Sequence, residues 1–196
     1  MAELKLLSHH SRAAEIKQST GFPRLKPAYV LKINLGNILR VGTVGSGQTL
    51  SLVETGTGSI TTADRYDDPV EGEVVYGADW LINEPDNEHA IPNLRLLIKT
   101  NDGAVLSSEY TGVGVFSQPV VDMWAGDANA KTFPFGISGK REQAHDYHSN
   151  ESGHGKYKHL QYKVFVGNGR FVVNENPRSF TVESRISEVI PSNDMD

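Results

Sequence analysis

Cysteine is absent from the 196 residues, and with it go thiol nucleophiles, disulfide staples, iron–sulfur clusters and cysteine-ligated zinc. Any chemistry must use oxygen and nitrogen. Long apolar runs are missing too: stretches such as 96–98 and 164–166 fall far short of the roughly 18 residues that a membrane span needs. Positive charge is scarce and scattered. The 19 Lys and Arg against 24 Asp and Glu leave a net charge of −5, so neither a nucleic-acid backbone nor an anionic membrane surface has a basic cluster to meet. No Gly-x-Ser-x-Gly elbow, phosphate-cradling Gly-x4-Gly-Lys-Ser, Gly-x-Gly-x2-Gly after a strand or His-Glu-x2-His is present, and a cofactor-free protein is therefore expected. The apolar stretch in residues 1–7 is too short for a secretory core, which predicts a cytoplasmic location.

What remains is an ordinary globular composition, 38% hydrophobic and 22% charged. A chain this long buries roughly 70% of its unfolded surface, enough to enclose a core and a cavity. Two segments are expected: residues 1–23 as a short helix or arm, with Leu4, Leu7, Ala14 and Ile16 at helical spacing before Gly21 and Pro23 stop it, and residues 24–196 as the main domain. Beyond Pro27, β-branched and aromatic runs are cut by glycine and polar turns every 8 to 12 residues or so, the rhythm of an all-β fold. About nine strands are predicted, over 29–35, 49–54, 58–63, 71–82, 93–100, 104–110, 160–167, 170–174 and 181–189. Tight reversals are expected at Asn101-Asp102-Gly103 and at Gly167-Asn168-Gly169. Nine antiparallel strands leave exposed edges unless they close, and closure at eight or more leaves room for a small ligand. A single antiparallel β-barrel is the expected architecture. A long loop over 112–159 precedes the last hairpin, with an aromatic half suited to cover a barrel mouth.

Tyr76-Gly77-Ala78-Asp79-Trp80, Asn93-Leu94-Arg95, Thr100-Asn101-Asp102-Gly103-Ala104 and Phe165-Val166-Gly167-Asn168-Gly169 occur in that order. The four blocks resemble the pattern of the DUF3237 family over roughly residues 28–189. The resemblance implies a lipocalin-like barrel. Because fungal members of such barrel families turn up among the tailoring proteins of specialised metabolism, it also implies a redox-neutral cyclase or isomerase, Diels–Alder chemistry included.

Asp79 lies in an apolar run, where its charge needs a partner; Arg95, on one face of its strand with Asn93 and Leu97, is the natural cation. Two readings of the pair stand: a structural tie between strands, or an acid–base pair at a cavity floor. His159, entering the last hairpin, is a third catalytic candidate. Trp80, Tyr110, Trp124, Phe133 and Phe135 are the candidates to stack on a planar ligand. His145, His148, His154 and His159 could suit a metal, but three-residue spacing in a Ser-, Asn- and Gly-rich stretch does not fit strand ligands, and no metal is expected. The sequence thus predicts a catalyst for a hydrophobic unsaturated or aromatic small molecule, or a carrier using the same cavity without reaction. A homodimer through an edge strand or the N-terminal arm is compatible with it.

Overall fold

The computed structural model describes residues 20–135, 147–151 and 153–193. In chain order the elements are β1 (Arg24–Asn34), β2 (Ile38–Thr43), β3 (Thr49–Glu54), β4 (Thr57–Thr62), β5 (Gly72–Asn83), β6 (His89–Ile91), β7 (Asn93–Thr100), β8 (Val105–Thr111), β9 (Gly114–Val115), α1 (Gln118–Trp124), β10 (Tyr147–Glu151), the 3₁₀ turn η1 (Lys158–Tyr162), β11 (Phe165–Glu175) and β12 (Arg178–Ile190). The described residues are all-β in class, with one antiparallel sheet and one α-helix. The arm expected over residues 1–23 lies almost wholly outside the described residues, as does His145.

The strands run in the order β2-β3-β5-β4-β1-β12-β11-β10-β8-β7, and a further ladder joins β5 to β7. The sheet therefore curls far around its core. It does not close into an unbroken cylinder: β10 and β11 meet through one residue pair, His148 with Phe165. The twelve strands among the described residues differ from the nine expected because β2, β6, β9 and β10 are added, β6 and β9 being only three and two residues long, while the two strands expected over 160–167 and 170–174 become the single β11.

Alternation decides which side of each strand is buried. In β7, Leu94, Leu96, Ile98 and Thr100 are buried and Asn93, Arg95, Leu97 and Lys99 exposed, the period-two pattern of a wall with unlike faces. Leu31, Ile33, Ile60, Val74, Leu106, Phe165 and Ile186 complete the inner face, each large side chain contributing on the order of 1.5–3 kcal/mol by burial. The curl depends on glycines at tight crossings. A Cβ at Gly58 would lie 2.1 Å from the Lys32 carbonyl oxygen, and one at Gly72 would lie 2.4 Å from that of Lys99, so only glycine lets β4 and β5 press against their neighbours there.

Of the two expected reversals, the first forms: Gly103 takes φ +89° and its N–H donates to Thr100 O at 2.9 Å. The second does not. Gly167-Asn168-Gly169 runs through the middle of β11, paired residue by residue with Ile186-Arg185-Ser184 of β12; neither glycine has positive φ. The chain turns instead after Glu175, at Asn176-Pro177. The start of the expected 160–167 strand is the turn η1, and the expected loop over 112–159 contains β9, α1 and β10.

Replacing Gly58 by Ala is expected to cost about 3 kcal/mol in urea denaturation, because backbone must move to admit a methyl. Gly45→Ala, with nothing within 4 Å of its Cβ position, should stay within about 0.5 kcal/mol of the parent.

Candidate active site

Asp79 sits on β5 opposite Val53 of β3 and Leu94 of β7, and Leu94 faces Tyr110 of β8. Cross-strand partners point the same way, so Val53, Asp79, Leu94 and Tyr110 form one inward row. Asp79 and Tyr110, two strands apart, stand roughly 10 Å from each other at the backbone.

Asp79 Oδ1 accepts a hydrogen bond from the Asn93 backbone N–H at 2.8 Å. Burial pushes its carboxyl up to about 6, and that one bond offsets only part of the effect. No cation among the described residues counters the burial.

The carboxyl opens on an apolar pocket of about 140 Å³. Val53, Leu81 and Tyr110 come from one wall, Gly169, Phe171 and Val182 from the opposite wall, and Val120 and Trp124 from α1. The helix packs over the sheet because Val120 and Met123 bury themselves at i and i+3, while Trp124 meets Phe171 edge-on at 6.0 Å. Phe133 supports the same ring from 6.0 Å.

The structure thus brings together three of the eight residues singled out in the sequence, Asp79, Tyr110 and Trp124, and places the others elsewhere. Arg95 is on the outer face, 62% exposed at its side chain and 3.4 Å from Glu109. The expected Asp79–Arg95 pair does not form, since strand alternation sends Leu94 inward and its neighbour outward. Trp80 also faces out, 44% exposed and opposite Leu52. Phe133 is buried behind Phe171, and Phe135 lies over the Arg170 guanidinium at 4.7 Å; neither lines the pocket.

His159 is on η1 rather than a strand. Its Nε2 lies 2.9 Å from Asp68 Oδ1, in a cluster where Lys163 Nζ donates to Asp68 at 2.5 Å and Glu188 at 2.9 Å. That cluster adjoins Tyr29, whose hydroxyl donates to Asp68 O. Tyr29 is six residues of extended chain, roughly 20 Å, from the pocket-lining Leu35. Its geometry fits a latch holding η1 to the sheet.

Sequence reasoning missed Phe171, Val120 and the pocket rim Val113 to Phe116. The helix had signals: Ser117 at the N-cap, Pro119 in the first turn and Gly126 at φ +73° just past the end. Phe171 was hidden by the turn expected at Gly167 to Gly169, which broke its strand. Among the described residues, no three His, Asp or Glu are grouped so as to hold a metal.

A family profile described as a protein of unknown function, DUF3237, matches residues 23–189. The chain belongs to the DUF3237 family. Solved structures share the fold of this DUF3237 protein. A conserved protein of unknown function from Rhodopseudomonas palustris superposes with a TM-score of 0.62 at 21% identity, over 87% of this chain and 100% of its own. A β-barrel-like protein from Acinetobacter baumannii AYE gives 0.59 at 18%, over 88% and 99%. A protein with unknown function from Clostridium acetobutylicum gives 0.61 at 15%, over 87% and 99%. No curated protein matches the sequence. No helix among the described residues is long and apolar enough to cross a membrane.

The raised Asp79 pKa sets a pH dependence. From the ordinary value of 3.8 up to about 6, the native state holds a proton that the unfolded chain has lost, so the carboxyl's contribution to stability falls as pH rises through that window. Asp79→Asn is expected to abolish this slope and to raise stability near neutral pH by on the order of 2–3 kcal/mol. Parallel stability curves for the two proteins in denaturant titrations between pH 4 and pH 8 would contradict the burial argument.

Proposed function

We propose that the curled sheet serves as a lipocalin-like barrel, and that the protein is a cofactor-free isomerase moving a proton within a small apolar, unsaturated ketone. The observation that carries the reading is Asp79: a carboxyl with no compensating cation, facing an apolar pocket and poised near neutrality. A general base works best when its pKa lies close to the working pH, and an ordinary surface carboxylate is too weak.

The reaction is a 1,3-proton shift. Asp79 takes the α-proton of a β,γ-unsaturated ketone, the electron pair spreads through the dienolate to the carbonyl oxygen, and the same carboxyl returns the proton to the γ-carbon. The atoms balance and nothing is oxidised. The Tyr110 hydroxyl, on the same inward row, would donate to the developing oxyanion. Trp124, Phe171 and Val120 keep water from the carboxyl, which strengthens each electrostatic contact inside.

Size favours isomerisation over cyclisation. An apolar cavity of about 150 Å³ accepts a benzene ring, and the pocket of about 140 Å³ is small beside the roughly 300–1,000 Å³ of drug-sized sites. One ring fits; folding a long polyene would need the mouth under α1 to widen.

With 3-cyclohexen-1-one as the probe, mass-neutral conversion to the conjugated ketone is expected by absorbance. Asp79→Asn should lower kcat by about 10²–10⁴, and Tyr110→Phe should slow turnover while leaving the fold intact. Saturable binding without conversion would make the protein a carrier. No binding and no conversion would remove the reading.

A further inference from the structure

The outer face of the sheet carries a second concavity, which shares only Arg170 with the lining of the apolar pocket and is polar where that pocket is apolar. It is a groove of about 700 Å³ across β5, β4, β1, β12 and β11. We propose that this groove binds a neutral saccharide.

Three observations point there. The first is size, within the roughly 300–1,000 Å³ of small-molecule sites. The second is a hydrogen-bonded chain of amides and hydroxyls crossing four strands. Asn174 Nδ2 donates to Ser179 Oγ at 3.2 Å and Thr181 Oγ1 at 3.0 Å. Thr181 Oγ1 donates to Asn34 Oδ1 at 2.9 Å, and Asn34 Nδ2 donates to Thr57 Oγ1 at 3.1 Å. Counting valences, these bonds leave Asn34 one amide proton, Thr57 its hydroxyl proton and Asn174 its amide oxygen. Fixed donors and acceptors alternating along a shallow wall match adjacent sugar hydroxyls, each of which gives and accepts.

The third observation is charge. Lys32 and Arg170 are the cations of the lining and Glu73 and Glu183 the anions, a balance that gives neither a phosphate nor an ammonium ligand a net field. Glu183, only 5% exposed, is held by Arg170 at 2.7 Å and by Arg185 at 2.6 Å. Phe135, outside the lining, lies over Arg170 at 4.7 Å and helps fix that guanidinium at the edge of the groove. A peptide strand inserted along β4, β1 or β12 is disfavoured, because each of these already pairs on both sides and offers no edge to extend.

The test uses the full chain and two neutral trisaccharides, maltotriose and cellotriose, titrated by NMR. Saturable shifts at the amides of Asn34, Thr57, Asn174 and Thr181 are expected for at least one, with a Kd of about 1 mM or tighter. Ser59, which lines the groove outside that chain of bonds, allows a blocking variant: Ser59→Trp should abolish binding with Tm unchanged. Asn34→Ala should weaken it about fivefold, the loss of one hydrogen bond. The proposal is overturned if neither sugar saturates by about 20 mM, if Ser59→Trp binds as well as the parent, or if glucuronate or glucosamine binds more tightly than the neutral sugars.

Discussion

Strict alternation along β7 and its register against β5 govern the chemistry of the interior. Once Leu94 faces the core, its partner Asp79 must face the core as well, and Arg95 must face away. A carboxyl and the arginine nearest it in the pairing are thereby assigned to opposite sides of a wall one residue thick. The carboxyl is left with a single backbone donor, and the cost of burying its charge appears as a preference for the proton. A one-residue slip in this ladder would send one strand's whole set of side chains to the other face and put Asp79 and Arg95 on the same side of the wall. Gly72 acts against such a slip, since a displaced register would bring a side chain to a crossing with Lys99 where even a methyl group does not fit.

Much of this was legible in the residues. The strands over 49–54 and 93–100 form with the bounds their alternation predicts, and the Asn101-Asp102-Gly103 turn follows from the need for positive φ at one position. The burial of Asp79 was legible too, as a charged residue in an apolar run. Its isolation was not, because sharing a sheet does not imply sharing a face; that depends on a register no single strand encodes. The Gly167 to Gly169 segment misled for a related reason. Glycine permits a turn without demanding one, and in β11 the long ladder to β12 outweighs local flexibility. The closest atom that a Cβ at Gly169 would meet is Ser184 Oγ, 3.6 Å away, so the residue is small beside the pocket it helps line rather than bent. The helix α1, seven residues long, is too short for periodicity to register, yet it supplies Val120 and Trp124 to the pocket.

Two ends of the molecule divide the ionisable groups by environment. At the η1 end, Asp68, His159, Lys163 and Glu188 form a connected network, and the hydrogen bond from Lys163 foremost holds Asp68 below the usual carboxylate range. Charges there are paired and spent on holding chain segments together: residues 158–163 to the loop before β5 and to the end of β12. At the pocket end one carboxyl stands alone. Functional sites are where unbalanced groups are tolerated, and by that criterion Asp79 stands apart from the satisfied cluster around His159.

The same sheet also offers an internal comparison. Glu183 and Asp79 are both desolvated carboxyls on central strands, one facing out and one in. Burial raises the pKa of each, but at Glu183 the hydrogen bond and charge of Arg170, with the charges of Arg185 and Lys32, outweigh it and hold the group ionised. At Asp79 nothing does. Burial alone therefore does not decide protonation here; the presence of a guanidinium does. Placing an arginine beside Asp79 would have fixed its charge and made it a structural anion like Glu183. The apolar row around it leaves both protonation states within reach near neutral pH, which is the condition a group must meet to give and take the same proton.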